Sequence, residues 1–236
     1  MNSLGGPTVL IYGHRGSPAT SPENTLASFE EAINAGVAGL EFDLRASADG
    51  ILVVLHDREL DRTTSLAGNV DELPFSRIRT ADAGNGQHIP TFEEVLELAG
   101  DRVHLDIEVK QAGLEALILS TLNRFPDTRW ALSSFDEDIL IAFRELSRDV
   151  DLVPIVPFVS DGLIAFAKKL CSPGVALMAS SYTESTAGEL ASAELPVIVW
   201  TVNDVAEATR VEQLGAYGLC SDCPGKLISA RSHYMN

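Results

Sequence analysis

Nine short apolar runs recur along the chain, and amphipathic segments with helical spacing separate most of them. The runs have the length and the β-branched content of buried strands. They cover residues 9–13, 39–44, 51–56, 103–110, 130–135, 151–156, 175–180, 197–202 and 218–222. Because strands that alternate with helices pair in parallel, the pattern predicts one parallel sheet covered by helices.

The helical segments carry recognisable end signals. The first is predicted to stop at Gly36, because glycine readily adopts the left-handed backbone that ends many helices. A later one is predicted to begin after Thr91, which forms a capping box with Glu94, and to stop at Gly100. These ends support a regular alternation of strands and helices.

One pair of runs, the second and the third, has no helix between its members. Asp49-Gly50 stands there instead and is a strong signal for a two-residue hairpin turn. A turn of that length pairs the two strands so that His56 lies directly opposite Asp43. We therefore expect the third run to be an antiparallel excursion from the second strand.

Eight parallel strands remain, each followed by a helix. This number and the length of 236 residues predict an α/β fold, a (β/α)8 TIM barrel, which typically has about 250 residues. An open doubly wound sheet is the alternative, but no Gly-x-Gly-x-x-Gly sequence follows a strand. We expect a single domain over residues 1–236, with a reduced insertion at about residues 57–90.

The chain is strongly acidic: 34 Asp and Glu residues against 17 Lys and Arg residues give a net charge of −17. Electrostatic repulsion therefore argues against nucleic acid as a partner and against stable association with anionic membranes. Three cysteines are too few for a disulfide framework. The start of the chain lacks a signal-peptide pattern, and no apolar run approaches the ~20 residues of a membrane span, so we expect a cytoplasmic protein. No pattern in the sequence indicates an oligomeric state.

Polar residues concentrate where the predicted strands end, which is where TIM barrels carry their chemistry. The candidates are His14, Arg15, Glu41, Asp43, His56, Glu108, Lys110 and Trp200. Glu41 and Asp43 are two residues apart and therefore share one strand face. Buried charges are costly unless they are paired or bound, so their convergence favours a functional site over isolated salt bridges. Trp200 is equally compatible with a place in the core.

The residue types indicate a chemistry. Three carboxylates without a cysteine form a hard oxygen site, for which Mg²⁺ or Ca²⁺ is better suited than zinc. Arg15 and Lys110 suit a phosphate group, and His14 and His56 suit a general base and a general acid. A metal, two cations and two histidines together favour phosphodiester cleavage. The glycines that flank His14-Arg15 are expected to let the substrate approach the backbone closely.

Several segments also resemble one enzyme family, in order and across nearly the whole chain. They are "HRGSPATSPENTLASFEEAI", "GLEFDLRASADGILVVLHD", "DRTT", "IPTFEEVLEL", "LDIEVK", "SSF", "VWTVN" and "SDCP". Together they resemble the glycerophosphodiester phosphodiesterases. The resemblance implies that His14 and His56 carry the acid–base chemistry and that Arg15 and Lys110 contact the phosphate. Trp200 is then expected near the glycerol or at the floor of the site.

The resemblance further implies one divalent cation, Mg²⁺ or Ca²⁺, held by Glu41, Asp43 and Glu108. Asp106 stands where the family often has asparagine, which adds a negative charge near the metal. The implied reaction is hydrolysis of small-molecule glycerophosphodiesters to glycerol 3-phosphate and an alcohol, with a cyclic phosphate as one route. A lysophospholipase D or a cyclising phospholipase is the alternative, although an acidic chain without a basic amphipathic helix offers no membrane-binding rim. A non-catalytic barrel is less favoured, because a binding module needs no pair of acid–base groups.

Overall fold

The computed structural model describes residues 9–234, with side chains up to Arg231. The strands in this range are β1 (Leu10–His14), β2 (Gly39–Ala46), β3 (Leu52–Val54), β4 (His104–Val109), β5 (Arg129–Ser134), β6 (Leu152–Val156), β7 (Val175–Met178), β8 (Val197–Trp200) and β9 (Gly218–Ser221). The helices are α1 (Leu26–Ala35), α2 (Phe75–Ile78), α3 (Phe92–Ala99), α4 (Glu115–Leu122), α5 (Glu137–Leu146), α6 (Leu163–Lys169), α7 (Glu184–Ser192), α8 (Val205–Gln213) and α9 (Pro224–Tyr234). Short 3-10 turns cover Val70–Glu72 and Ala179–Ser181.

Eight of the strands close into a parallel barrel. Their order around it is β1, β2, β4, β5, β6, β7, β8 and β9, and β9 pairs again with β1. A helix follows each of these strands before the next one begins. The predicted TIM barrel is therefore confirmed. Closure makes the first and last strands neighbours, with Gly13 opposite Ser221. The residues that follow Gly13 and Ser221 therefore lie side by side.

The predicted helix ends are present. Helix α1 stops at Gly36, whose φ of 91° is left-handed. Helix α3 begins after Thr91, which forms the predicted capping box with Glu94, and it stops at Gly100. Local sequence thus determines these boundaries, because the cap side chains satisfy backbone groups that the helix itself leaves free.

The hairpin between β2 and β3 differs from the prediction by one residue. Ala46 pairs with Leu52, so that Leu55, and not His56, lies opposite Asp43. The N–H of Leu55 donates to the carbonyl oxygen of Asp43 at 3.0 Å. The predicted register was wrong because the loop contains three residues and not two.

Ser47 closes this longer loop. Its hydroxyl oxygen accepts the N–H of Ile51 at 3.0 Å and donates to Asp49 at 2.6 Å. Gly50 has a φ of 79° and donates its N–H to the carbonyl of Ser47 at 2.9 Å. A left-handed glycine at the end of a three-residue loop gives the strands the twist they need, so this turn competes well with the two-residue alternative.

Strand β3 pairs with the same edge of β2 as β1 does, beyond the point where β1 ends. The carbonyl of Glu41 accepts the N–H of Arg15 at 2.9 Å, and the carbonyl of Asp43 on the same edge accepts that of Leu55 at 3.0 Å. The chain therefore returns at the carboxyl-terminal mouth of the barrel. It carries His56 to that mouth even though the register differs from the prediction.

The barrel and the insertion have separate apolar clusters. Most buried apolar residues lie between the strands and the surrounding helices. A smaller cluster joins the hairpin to residues 57–90; it consists of Val53, Leu55, Leu60, Val70, Ile78, Ala81, Ala83 and Ile89. This cluster anchors the insertion beside the mouth of the barrel. No helix within residues 9–234 is both long and apolar enough to cross a bilayer.

Candidate active site

The structure brings all eight predicted site residues together at the carboxyl-terminal mouth of the barrel. Seven of them line one cavity: His14, Arg15, Glu41, His56, Glu108, Lys110 and Trp200. The eighth, Asp43, is fully buried and contacts both Arg15 and Lys110. Their roles stay predictions, but their convergence in space is a fact of the fold.

Glu41, Asp43 and Glu108 form a compact acidic cluster. The first two share a face of β2, and Glu108 lies opposite Asp43 on β4. One oxygen from each carboxylate lies within 4.8 Å of the others. Burial and the neighbouring carboxylates raise the pKa of Glu41 well above its ordinary value and raise that of Glu108 to about 7. The cluster therefore resists three simultaneous negative charges unless cations are close.

Asp43 keeps its charge because cations and a hydrogen-bond donor surround it. Nζ of Lys110 lies 3.2 Å from Oδ1, Nε of Arg15 lies 3.4 Å from Oδ2, and the Asn24 amide donates to Oδ2 at 2.8 Å. Burial alone would raise the pKa of Asp43, but these partners outweigh it and lower the pKa. Nζ of Lys110 also lies 2.5 Å from Oε1 of Glu108. The lysine thus bridges two of the three acids.

The acidic cluster fits a hard divalent cation. Oδ1 of Asp43 and Oε1 of Glu108 are buried, and although both contact Lys110 as ion pairs, neither accepts a well-aligned hydrogen bond. Buried carboxylate oxygens with free lone pairs are the ligands that Mg²⁺ and Ca²⁺ take. Asp106 accepts the hydroxyl of Ser133 at 2.5 Å, and burial raises its pKa to about 6. It lies outside the cluster of three.

His14 is held by a carboxylate that the sequence analysis missed. Oδ1 of Asp222 lies 2.6 Å from Nδ1 of His14. Asn203 fixes Asp222 in turn: its amide donates to Oδ2 at 2.6 Å, and its oxygen accepts the backbone N–H at 2.8 Å. The other ring nitrogen, Nε2, lies 3.9 Å from Glu41. His14 therefore directs Nε2 towards the acidic cluster.

A signal for Asp222 was present in the predicted fold. In a closed barrel the first and last strands are neighbours, and here Gly13 lies opposite Ser221. The next residue on each strand is His14 on one side and Asp222 on the other. A polar residue directly after the last strand of a predicted barrel is thus expected to contact a residue that ends the first.

His56 follows β3 and also has a carboxylate on its ring. Its Nδ1 lies 2.5 Å from Oδ1 of Asp57. Burial lowers the pKa of His56, while Asp43 and the bond to Asp57 act in the opposite direction without cancelling it. The backbone carbonyl of His56 accepts Nε of Arg45 at 2.8 Å, which ties the returning chain to β2. Both histidines of the site are thus oriented through Nδ1.

The turn after β1 needs its glycines for packing. A Cβ on Gly13 would lie 2.4 Å from the carbonyl oxygen of Gly16, and one on Gly16 would lie 2.3 Å from Oγ of Ser28 in α1. Gly16 also has a φ of 90°. The structure therefore gives these glycines a role in a tight turn against α1. That they also let the substrate approach the backbone stays a prediction.

Trp200 contributes an apolar wall to the cavity. Its ring meets that of Phe135 edge-on, with centroids 5.4 Å apart, and Nζ of Lys110 lies 5.6 Å from the Phe135 centroid. Nε1 of Trp200 is buried and has no hydrogen-bond partner among the residues described. Phe135 was missed from the sequence, because a single aromatic residue after a strand carries no distinctive pattern.

Comparison with known proteins gives one consistent result. The model of the glycerophosphoryl diester phosphodiesterase family matches residues 14–226. The protein YqiK of Bacillus subtilis is 32% identical over 92% of this chain and 96% of its own length. A glycerophosphodiester phosphodiesterase of Caldanaerobacter subterraneus is 30% identical over 93% of this chain and 96% of its own length.

A solved structure agrees with these sequence relatives. The phosphodiesterase of Oleispira antarctica, in complex with the product sn-glycerol-3-phosphate, superposes with a TM-score of 0.90. It is 28% identical and covers 94% of this chain and 96% of that one. The barrel that gathers histidines, carboxylates and cations at its carboxyl-terminal mouth is thus that of a phosphoric diester hydrolase. The chain belongs to the glycerophosphoryl diester phosphodiesterase family, which confirms the resemblance found in the sequence.

Proposed function

We propose that the chain hydrolyses glycerophosphodiesters to glycerol 3-phosphate and an alcohol. Family membership supports the reaction, and the product in the Oleispira antarctica structure supports the identity of the phosphorylated half. One observation in this chain carries the proposal: two histidines, each with a carboxylate on Nδ1, line a cavity that also holds cations and acids. Such a pair suits the acid–base cleavage of a phosphodiester, in which one group takes a proton and the other gives one.

We assign one divalent cation, Mg²⁺ or Ca²⁺, to Glu41, Asp43 and Glu108. When bound, it would act as a Lewis acid on a phosphate oxygen. The protein supplies three carboxylate oxygens from two adjacent barrel strands. The strands hold these ligands in place before the ion binds.

In the first step His14 acts as the base and His56 as the acid. Nε2 of His14 takes the proton of the glycerol hydroxyl next to the phosphorylated oxygen, and that oxygen attacks phosphorus. His56 protonates the departing alcohol, and its lowered pKa makes its imidazolium a stronger acid. The products are a cyclic phosphate and the free alcohol. An internal nucleophile of this kind is worth ~7 kcal/mol or more over an external one.

In the second step the two histidines exchange roles. His56 takes a proton from water, which attacks phosphorus, and His14 returns a proton to the glycerol oxygen that departs. Glycerol 3-phosphate forms, and both histidines regain their starting protonation. Arg15 and Lys110 offset the charge on the phosphate oxygens, and Trp200 packs against the glycerol carbons.

A coupled assay with glycerol-3-phosphate dehydrogenase and glycerophosphocholine tests the reaction. We expect turnover by the wild type, loss in His14→Ala, and loss in EDTA that Mg²⁺ or Ca²⁺ restores. Absence of turnover with every glycerophosphodiester would refute the function, whereas full activity of metal-depleted protein would remove only the cation. An analogue without the adjacent hydroxyl tests the cyclic route: it should react slower by orders of magnitude, and an equal rate would mean that water attacks directly.

A further inference from the structure

Arg62, in the insertion after β3, joins two residues of the site through two carboxylates: Asp57 at the start of the same insertion and Glu23 in the loop between β1 and α1. Its Nε donates to Asp57, and its terminal nitrogens donate to the two oxygens of Glu23 at 2.8 and 3.0 Å. Asp57 in turn contacts Nδ1 of His56 at 2.5 Å, and Glu23 accepts a hydrogen bond from Arg15 at 2.8 Å. A continuous series of charged contacts therefore runs from His56 to Arg15.

The geometry of this bridge depends on a guanidinium group. All three nitrogens of Arg62 are engaged, and two of them form a parallel pair with one carboxylate. Such paired, charge-assisted bonds fix orientation as well as distance, and the single ammonium of lysine cannot reproduce them. The bond from Arg62 is also the largest single cause that holds the pKa of Asp57 below its ordinary value.

Asp57 and Glu23 both need such a partner. Neither lies within a helix or strand: Glu23 belongs to the loop between β1 and α1, and Asp57 follows the hairpin. Their side chains are partly exposed, at 21% and 28%, so they are free to rotate unless something holds them. An isolated surface ion pair would contribute little, but here each carboxylate is held between two cationic or protonatable groups.

We propose that Arg62 is a positioning residue for the phosphodiester cleavage proposed above: it aligns His56 through Asp57, and Arg15 through Glu23. Arg62 touches neither of these two residues itself. Its removal changes their orientation and leaves their chemistry intact. Because an error of about 1 Å at a reacting group costs about 100-fold in rate, alignment at this distance is measurable.

Arg62→Met, Arg62→Lys and a matched control, Arg58→Met, test the proposal. Arg58 lies in the same insertion and donates to both oxygens of Asp71 at 3.0 Å, away from the site. With glycerophosphocholine we expect kcat/KM to fall by about tenfold to 100-fold in both Arg62 variants. We expect Arg58→Met to stay within about twofold of the wild type, with a melting temperature close to that of Arg62→Met.

The identity of the leaving group separates alignment from general loosening of the structure. A p-nitrophenyl ester of glycerol 3-phosphate needs no protonation of its leaving group, so misalignment of His56 matters less for it. Arg62→Met should therefore lose clearly less activity on this ester, measured as nitrophenol release, than on glycerophosphocholine. Asp57→Asn weakens the same contact from its other end, so the losses of the double variant with Arg62→Met should be less than additive.

The outcomes are distinguishable. If the wild type turns over neither substrate, the proposed function is wrong and the role of Arg62 falls with it. If the wild type is active and Arg62→Met matches Arg58→Met, only the positioning role is wrong. Equal losses on both substrates, or additive effects with Asp57→Asn, would show that Arg62 does not act through Asp57. An Arg62→Lys variant as active as the wild type would show that charge alone suffices.

Discussion

The acidic cluster should make the metal-free protein less stable at alkaline pH, and Glu108 gives the effect a magnitude. Burial and the charge of Asp43 raise the pKa of Glu108 from 4.5 to about 7, even beside Lys110. Because the folded-state pKa is the higher one, the unfolding free energy is unaffected below about pH 4.5, falls as the pH rises from there through 7, and levels off above. Each pKa unit is worth about 1.4 kcal/mol, so the loss is about 3 kcal/mol.

Glu108→Gln keeps the shape of the side chain and removes its charge. In EDTA at pH 8, we expect the variant to be more stable than the wild type by about 3 kcal/mol. A chain of this size shifts its melting temperature by about 2–4 °C per kcal/mol, so melting should occur about 6–12 °C higher. The difference should disappear near pH 4.5. Mg²⁺ or Ca²⁺ should raise the melting temperature of the wild type and not that of the variant, because a cation that binds only the folded state stabilises it.

Thermal melts from pH 4.5 to 9, with and without metal, provide the measurement. Glu97→Gln is the matched control, because Glu97 is exposed on α3 and its removal should leave the pH dependence unchanged. A Glu108→Gln protein no more stable than the wild type in EDTA at pH 8 would falsify the repulsion argument. The same gain at pH 4.5 and pH 8 would contradict it as well, since the gain would then not come from ionisation.

Three further predictions concern individual residues. His56→Ala should retain most of the nitrophenol release from a p-nitrophenyl ester and lose activity on glycerophosphocholine, whereas His14→Ala should lose both; the reverse pattern would exchange their roles. Asp222→Asn should lower kcat about 10–100-fold with a melting temperature within a few degrees of the wild type, because it no longer anchors Nδ1 of His14 as a carboxylate; an unchanged kcat would make Asp222 dispensable. Gly50→Val should destabilise the chain by about 1–2 kcal/mol in urea melts, because valine is strained at a φ of 79°; no atom lies within 4 Å of the added Cβ, so there is no clash to add. The variant should also lose activity because His56 is displaced, and wild-type values would show that the turn readily adopts another form.

What the sequence predicted, and what it did not, follows from the range of each interaction. The spacing of Glu41 and Asp43 was readable because a strand places residues two apart on one face. The hairpin register was not readable from the sequence, because the hydroxyl of Ser47 decides between two loops that differ by one residue. Asp222 contacts His14 across 208 residues, so only closure of the barrel brings them together. Arg62 contacts Asp57 in its own insertion and Glu23 in the loop after β1, and no local pattern indicates the second contact, which spans 39 residues.

The charges of the site explain how so acidic a chain can bind an anionic substrate. Glu41, Asp43 and Glu108 carry three negative charges when ionised, and Arg15 and Lys110, which contact Asp43, carry two positive ones. A phosphodiester adds a further negative charge, and a divalent cation adds two positive ones, so cluster, cations, substrate and metal together reach neutrality. Without the metal, the same two side chains would have to neutralise both the carboxylates and the phosphate. With the proposed metal bound, the buried acids that repel one another would thus be the groups that allow a phosphate to bind in a protein with a net charge of −17.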